Sequence, residues 1–272
     1  MEINFILDKS IDLISYLKTN HFSGSMILEL LKHQKIKVNN KIVNQTQLLL
    51  DNDLLNIQLI DECTNIVASD QPIDIIYEDE YLLIVNKPHN LDSMSSRAHY
   101  LDNLSSRIIN YYNRNKIKST IHLVNRLDYL TSGLMIIAKH GVIHEMFKNI
   151  FITKKYILKV EGNVDNSLSM INIKIKKSDE GIKRVVADDG KEAITLFKTI
   201  KKDDKFSYIE ATLVTGRTHQ LRVSFAHLNH PIVGDILYGS KYQQNLCLTS
   251  SYLEFEHPIT KKRMKFELHP NF

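Results

Sequence analysis

Apolar residues near the N-terminus recur at helical spacing and then give way to shorter, strand-like runs. Residues 10–18 and 23–33 place apolar side chains three or four positions apart, which predicts two amphipathic helices, the second capped by Ser23 or Ser25. A tight hairpin is expected about Asn39-Asn40, because asparagine tolerates positive φ. Two helices and a hairpin are too small for a robust independent core, so this unit is expected either to pack on a neighbour or to act as a tethered module.

From residue 73 onward the pattern changes to many strand-like runs separated by tight polar turns. The strand-like segments are 73–88, 132–139, 154–162, 169–177, 191–202, 208–216 and 263–270, and the helical ones are 100–114, 142–151 and 218–228. Many strands and few helices predict an α+β fold with a mixed, largely antiparallel central sheet. The polar residues before this part predict a small N-terminal α/β unit over 1–62, a linker over 63–72 and a catalytic domain over 73–272.

Length and composition narrow the class of protein. The 272 residues suit one large domain with a small appendage. No apolar run reaches the roughly 18–20 residues that a membrane span needs, and the N-terminus lacks the features of a signal peptide. Cys63 and Cys247 are too few for a disulfide framework or a four-cysteine zinc site. A reducing, cytoplasmic location is therefore expected.

The net charge of +4 is spread unevenly along the chain. Residues 1–70 hold six basic and nine acidic residues, a net of −3, so the other 202 residues carry +7. A nucleic acid is a reasonable partner for this basic part, although a mildly basic domain without such a partner explains the charge equally well.

The common cofactor and metal motifs are missing from the sequence. It has no G-x-G-x-x-G, no G-x-x-x-x-G-K-[ST] and no H-E-x-x-H. His140 and His144 are four apart on an expected helix, a spacing that can hold a metal, but only Glu145 stands beside them. A plain surface pair is the favoured interpretation.

One polar turn runs straight into an apolar strand and carries the first candidate site. Its polar residues are Arg126, Asp128, Thr131, Ser132 and Gly133, and the strand is Leu-Met-Ile-Ile-Ala. An acid this close to a buried strand is costly unless it is paired or faces a cleft. The alternative is an Asx-type turn, in which Asp128 binds nearby backbone amides.

A second candidate segment combines two arginines with polar residues in an expected helix. Helical spacing puts Leu221 and Phe225 on one face, and His219, Arg222 and Ala226 on the adjacent one. A solvated basic face is one interpretation. The other is the wall of a cleft for an anionic polymer, with Arg222 paired to a carboxylate such as Asp128.

Four segments of the sequence resemble four motifs of one family, in the same order along the chain. Residues 125–139, NRLDYLTSGLMIIAK, resemble the active-site motif of the RluA-type RNA pseudouridine synthases. The blocks 72–88, 215–239 and 255–270 resemble the opening, C-terminal and closing motifs of that family. The match spans about residues 70–272, and four blocks in order are highly specific. Residues 10–60 resemble, more weakly, the S-four-type RNA-binding module that often precedes this catalytic domain.

The resemblance implies a fold of the pseudouridine synthase type and the isomerisation of uridines in structured RNA, ribosomal or transfer, by base flipping. It implies a reaction without a cofactor, and no metal site is expected. We also expect no membrane or obligate protein partner, and a monomer. The family pattern places the catalytic aspartate on Asp128, the base-stacking tyrosine on Tyr156 and the ion-pair partner of the aspartate on Arg222. Arg126 matches the arginine that fills the gap left by the flipped base. RNA or base contacts are expected from Arg217, His219, Gln220 and Leu221, and motif support from Asn125, Thr131, Ser132 and Gly133.

The chain departs from the family pattern in places. Asn125 stands where many members have histidine, which is tolerable if that side chain orients the loop. Ile11 and Gly24 stand at module positions that are often basic, and the module is net acidic, so its contact with RNA stays open.

Two other functions compete with the synthase: a ribosome-assembly factor whose catalytic activity is incidental or lost, and a metal-dependent nuclease. The joint presence of Asp128, Tyr156 and Arg222 argues against lost activity, and the nuclease lacks a carboxylate cluster with metal spacing.

Overall fold

The computed structural model describes residues 1–95, 100–165, 167, 169–179 and 181–272. Its architecture is α+β, with one large and mostly antiparallel sheet and few helices over these residues, which confirms the predicted fold class. A smaller sheet belongs to the N-terminal residues. None of the helices in the described ranges is long and apolar enough to cross a membrane.

The N-terminal unit has a small antiparallel sheet and two helices. Its elements are β1 (Glu2–Ile6), β2 (Ile11–Asp12), α1 (Leu13–Thr19), α2 (Gly24–Lys32), β3 (Ile36–Val38), β4 (Lys41–Val43), β5 (Leu48–Leu49) and β6 (Leu54–Gln58). The sheet order is β1-β6-β3-β4, and β2 pairs separately with β5. Ser23 caps α2 by accepting from the amide of Met26, and Asn39 and Asn40 adopt φ of 49° and 64° in the hairpin. Both details agree with the sequence patterns.

The large sheet runs through the rest of the chain. Its strands are β7 (Asp74–Glu78), β8 (Leu82–Lys87), β9 (His122–Leu123), β10 (Ser132–Ala138), β11 (Thr153–Glu161), β12 (Met170–Lys177), β13 (Arg184–Val186), β14 (Lys191–Lys202), β15 (Phe206–Leu213), β16 (Leu248–Glu256) and β17 (Arg263–Glu267). The strand order is β13-β12-β14-β15-β11-β16-β10-β8-β7, with β17 on β16 and β9 on β10. The β10–β16 pair is parallel, and the other pairs of this order are antiparallel.

Within the described ranges, three helices and two short 3-10 turns pack on the sheet. They are α3 (Leu104–Arg114), α4 (Gly141–Met146), α5 (Gln220–His227) and the turns Phe147–Asn149 and Ile236–Tyr238. All three helices are shorter than predicted, and α3 begins at Leu104 instead of residue 100. The helix expected over 142–151 tightens into the first 3-10 turn, and α5 begins only at Gln220 because His219 has a left-handed φ of 57°.

Strand β10 separates two hydrophobic cores, since alternate side chains of a strand point to opposite faces. Leu134 and Ile136 belong to a core shared with the N-terminal unit, α4 and β16. Met135 and Ile137 belong to a second core, shared with α3, α5 and β11. All four side chains are fully buried. The N-terminal unit therefore packs on the large sheet, which is the first of the two arrangements predicted from its small size.

Polar contacts at the edge of this shared core also join the two parts. The hydroxyl of Tyr81 donates to the carbonyl of Glu2 at 2.9 Å. His140 is buried, caps α4 by accepting from the amide of Val142, and reaches the carbonyl of Ile60 at 3.0 Å through Nε2. The interpretation of His140 and His144 as a surface pair is therefore wrong for His140, because helix capping and the contact with Ile60 draw it into the interior.

Two strands of five or more residues were not predicted from the sequence. β1 precedes the region where helical spacing begins, and its five residues are too few to stand out. β16 lies in the middle of the large sheet, but it contains Thr249, Ser250 and Ser251, which hide its buried character. The segment 59–73 has no regular element, yet Ser69 within it bonds to Asp102 and to the backbone of Ser106. The domain boundaries stay a prediction.

Candidate active site

A cleft of about 610 Å³ brings the two candidate segments together. Residues 123–131 form one wall, residues 213–222 form the opposite wall, and residues 151–156 lie between them. The predicted residues that line the cleft are Asn125, Arg126, Asp128, Thr131, Tyr156, Arg217, His219, Gln220, Leu221 and Arg222. Ser132 and Gly133 do not line it but lie in the adjoining strand β10. No described residue of the N-terminal unit lines the cleft.

The side chain of Asn125 fastens the first wall to β10. Its Oδ1 accepts from the amide of Ile136 at 2.7 Å, and its Nδ2 donates to the carbonyl of Leu134 at 3.3 Å. Asn125 is buried, so an unpaired amide there would be costly. The bonds agree with a side chain that orients the loop ahead of Asp128.

Two buried residues that were not predicted, Lys87 and Ser93, bind the main chain of the loop that carries Asp128. Lys87 donates through Nζ to the carbonyls of Leu91 at 2.7 Å, Pro88 at 3.0 Å and Tyr129 at 3.3 Å. Burial lowers the pKa of Lys87 to about 8, although the charges of Asp92 and Asp128 oppose this shift. Ser93 donates to the carbonyl of Leu127 at 2.7 Å. These bonds fix the main chain on both sides of Asp128.

Asp128 is half-buried and faces the second wall. Its Oδ2 lies 3.8 Å from Nε2 of His219. No backbone amide of the described residues donates to this carboxylate, and the turn is instead closed by the amide of Thr131, which donates to the carbonyl of Asp128 at 3.0 Å. The Asx-turn interpretation is therefore wrong, and the carboxylate is left facing the cleft.

Tyr156 on β11 lies at the base of the cleft, with 8% of its surface exposed. Burial and the nearby charge of Asp128 raise the pKa of Tyr156 to about 12. The phenol therefore stays neutral at physiological pH and offers a planar ring to the cleft. A neutral ring of this kind suits stacking on a base.

The expected ion pair between Arg222 and Asp128 is not formed. Arg222 instead donates through Nε and Nη2 to the two carboxylate oxygens of Asp235, at 2.7 and 2.8 Å, and both side chains are buried. The prediction was wrong because Asp235 is completely buried and requires a bidentate partner at close range. Burial lowers the pKa of Arg222, but the bonds and charge of Asp235 outweigh this and raise it, with a further contribution from Asp128. Arg222 thus remains a cation within reach of the field of Asp128.

The four residues expected to contact RNA differ in availability. Arg217 is exposed, although its Nε donates to the carbonyl of Glu192 at 3.0 Å. Gln220 is buried, and its amide is fully used in bonds to Thr215, Arg217, Ile194 and Thr195. Leu221 belongs to the second core, and His219 is largely buried. RNA contacts by these four residues stay predictions.

Arg126, at the rim of the first wall, is exposed and forms no hydrogen bond or ion pair with the part of the chain described here. Lys154 lines the cleft as well, and burial lowers its pKa. Sequence reasoning missed Lys154, although it stands two residues before Tyr156, on the same face of β11.

Gly133 allows β10 and β16 to approach closely. Its φ is +113°, and a Cβ there would lie 2.3 Å from the carbonyl oxygen of Ser250. Ser132 Oγ lies 2.9 Å from Oγ1 of Thr249. Both motif residues therefore join the strand that follows Asp128 to β16. Across the described ranges no group of three or more histidine, cysteine or acidic side chains is arranged to hold a metal.

Known proteins resemble this chain in sequence and in fold. The family model described as RNA pseudouridylate synthase matches residues 81–227. The chain is 35% identical over 240 residues to the uncharacterized RNA pseudouridine synthase YjbO of Bacillus subtilis, which covers 85% of each chain. It is 36% identical to the ribosomal large subunit pseudouridine synthase C of Buchnera aphidicola, over 88% of this chain and 83% of that one.

A further relative and a solved structure extend the comparison. The dual-specificity RNA pseudouridine synthase RluA of Vibrio parahaemolyticus is 34% identical over 68% of this chain and 78% of that one. The solved structure of human RNA pseudouridylate synthase domain containing 1 has a TM-score of 0.61 at 21% identity, covering 75% of this chain and 85% of that one. This last likeness concerns the fold alone.

Proposed function

Because this chain belongs to the RluA-type family of RNA pseudouridine synthases, isomerases that act on RNA, we propose that it converts specific uridines of structured RNA into pseudouridine through Asp128. Ribosomal RNA is the first substrate to test, because the relative from Buchnera aphidicola is named for the large ribosomal subunit. Transfer RNA is the second, since the Vibrio relative is named for dual specificity. The reaction breaks the bond from sugar to base nitrogen, turns the base, and forms a bond to base carbon.

The observation that carries this proposal is the meeting of Asp128, Tyr156 and Arg222 in one cleft. A uridine inside structured RNA has to leave its stack to be reached, at a cost of a few kcal/mol. Stacking of the flipped base on Tyr156 is worth about 1–3 kcal/mol and offsets much of this cost. Asp128 acts as a carboxylate, and Arg222, a buried cation, lines the same cleft.

Arg126 takes the place that the flipped base leaves in the RNA stack. Its guanidinium is exposed at the cleft rim and has no ion-pair partner among the residues described, so it is free to enter the RNA. A planar, weakly hydrated cation stacks well on bases. Since the reaction draws on these side chains alone, neither a cofactor nor a metal is part of the proposal. Location in the cytoplasm and a monomeric state stay predictions.

The test is the substitution Asp128→Asn, which keeps the shape of the side chain and removes its charge. We expect pseudouridine formation to fall by about 10³-fold or more, while unfolding and RNA affinity stay unchanged. Chemical mapping of pseudouridine in total RNA, from cells with the wild-type or variant gene, measures the effect and locates the target.

Asp204→Asn is the matched control, because Asp204 is an exposed aspartate on the turn between β14 and β15. It is expected to leave every pseudouridine in place. Retained isomerisation in Asp128→Asn would overturn the role of Asp128. A ribosome-assembly defect of the deletion strain that Asp128→Ala rescues would point to a function other than catalysis.

A further inference from the structure

A chain of polar atoms leads away from Asp128 into the second wall of the cleft. Nε2 of His219 lies 3.8 Å from Oδ2 of Asp128, and Nδ1 of the same ring lies 2.9 Å from the hydroxyl of Tyr238. That hydroxyl also accepts a hydrogen bond of 2.9 Å from the main-chain amide of Arg184 on β13. The line therefore connects the carboxylate to a fixed backbone group.

The amide at the end of the line favours one placement of the protons. The N–H of Arg184 can only donate, so the oxygen of Tyr238 accepts there and its own hydrogen is available for Nδ1 of His219. A neutral imidazole carries one N–H and one acceptor nitrogen. Accepting at Nδ1 places the proton on Nε2, where it faces the carboxylate. The opposite tautomer would turn a lone pair toward an anionic oxygen.

The fold holds both rings in place. His219 adopts a φ of 57°, a left-handed conformation that residues other than glycine rarely take. The ring of Tyr238 meets the His219 ring edge-on, with centroids 5.7 Å apart. The guanidinium of Arg222 lies 4.9 Å from the Tyr238 ring centroid, and the ammonium of Lys183 lies 5.6 Å from it. These contacts survive removal of the hydroxyl alone.

Burial keeps the ring of His219 neutral. Burial lowers the pKa of His219, the positive charges of Arg222 and Arg184 lower it further, and the negative charges of Asp128 and Asp235 oppose them. The net direction is downward from an ordinary value of 6.5, so the ring is neutral at physiological pH. The tautomer of the neutral His219 ring therefore decides which ring nitrogen can donate to Asp128. The groups facing the ring are Asp128, Asp235, Arg184, Arg222 and Tyr238.

We propose that Tyr238 is a positioning residue, which fixes His219 as the Nε2–H tautomer so that His219 holds the Asp128 carboxylate in its working orientation. The proposal rests on the catalytic role of Asp128 proposed above. The separation of 3.8 Å is longer than a hydrogen bond, and contacts of this kind commonly shorten when substrate binds. The atoms Tyr238 Oη, His219 Nδ1 and His219 Nε2 form the positioning relay.

The first test observes the relay without any RNA. Nitrogen NMR of the protein carrying ¹⁵N-labelled histidine distinguishes a protonated from an unprotonated ring nitrogen. For His219 of the wild type we expect a protonated Nε2 and an unprotonated Nδ1, and for Tyr238→Phe a mixture of tautomers. Tyr242→Phe is the matched control, because it removes a hydroxyl from a neighbouring ring that packs on Phe206. A protonated Nδ1 in the wild type, or identical spectra for wild type and Tyr238→Phe, would overturn the proposal.

The second test measures turnover on the RNA identified by mapping. Tyr238→Phe is expected to lower kcat about three- to tenfold, the rate equivalent of one neutral hydrogen bond, with KM unchanged. Tyr242→Phe is expected to retain wild-type kcat. A change in KM alone would contradict a positioning role. If wild-type protein modifies no RNA, the proposed function fails, whereas the NMR measurement still decides the relay.

Discussion

The two faces of strand β10 are used for different purposes. On one face, Leu134 and Ile136 pack in a core that includes the N-terminal unit. On the other face, Met135 and Ile137 pack in the core beneath the cleft, together with Tyr156 and Leu221. One strand therefore supports the fold with its even positions and the candidate site with its odd positions.

Charged side chains are buried next to the cleft, and also at Lys139, directly after β10. The cleft side contains the fully buried pair of Arg222 and Asp235, and the buried cation Lys87 lies behind the Asp128 loop. The N-terminal unit is net acidic, and none of its described residues lines the cleft. Buried ions are costly, so a fold retains them where a charge has to be held at a set place. The N-terminal unit completes the core on one face of β10, and the proposed RNA site lies on the other face.

The largest expected loss of stability comes from breaking the buried pair on the cleft side. Asp235→Asn leaves Arg222 as an unpaired buried cation, which is expected to lower the free energy of unfolding by about 3–5 kcal/mol. Denaturant unfolding of the purified variant measures this loss. Activity should fall too, since the freed guanidinium no longer has a fixed place beside Asp128.

Asp189→Asn is the control for that measurement, because Asp189 pairs with Lys176 at 3.0 Å on the surface. An exposed pair is screened by water, so its loss is expected to leave the unfolding curve in place. If both variants lost the same free energy of unfolding, burial would not explain the importance of the pair between Arg222 and Asp235. The cleft side would then not differ from the surface in this respect.

The sequence predicted the fold class and most strands, because apolar periodicity and turn residues are local signals. The turns at Asn39-Asn40 and at Asp128 could also be predicted, because turn residues are recognisable in the sequence. The pairing of Arg222 with Asp235 was not, because it depends on how an irregular loop folds back over α5. β16 was not predicted because several of its buried positions carry hydroxyl groups instead of apolar side chains. Such hydroxyls can be buried because a neighbouring strand supplies partners, as Ser132 of β10 does for Thr249 of β16.

The next largest loss of stability is expected from substitutions that test the two faces of β10 one at a time. Ile136→Ala and Ile137→Ala each remove three carbons from a fully buried side chain, so each is expected to cost about 2–5 kcal/mol. Hydrogen exchange should show that Ile136→Ala loosens residues 1–60, because it faces their core. Ile137→Ala should lower kcat more, because it faces the core of Tyr156. Adjacent positions of one strand serve as controls for each other, and identical exchange maps would contradict the division.

The smallest expected effect concerns the attachment of the N-terminal unit. Glu62 leaves that unit and accepts from Nε2 of His122 on β9 at 2.8 Å and from the amide of Gly141 at 3.1 Å. Burial opposes its ionisation, but the bond from His122 and the charges of His122 and His140 outweigh this and hold the pKa of Glu62 at about 2. Because the folded pKa lies below the ordinary value of 4.5, the ionised carboxylate stabilises the fold fully above pH 4.5. That contribution is lost as the pH falls toward 2.

Glu62→Gln is therefore expected to lower the free energy of unfolding by about 1.5–3 kcal/mol at pH 7, the range for a hydrogen bond to a charged group. The difference from wild type should shrink below pH 4.5 and vanish near pH 2, and kcat should not change. Denaturant unfolding across this pH range measures it, with Asp61→Asn as the control, since Asp61 makes an exposed pair with Lys118. A difference that is constant with pH would mean that shape, and not the charge of Glu62, secures the N-terminal unit. A fall in kcat would mean that the two faces of the sheet are coupled, because the attachment of the unit would then be felt at Asp128.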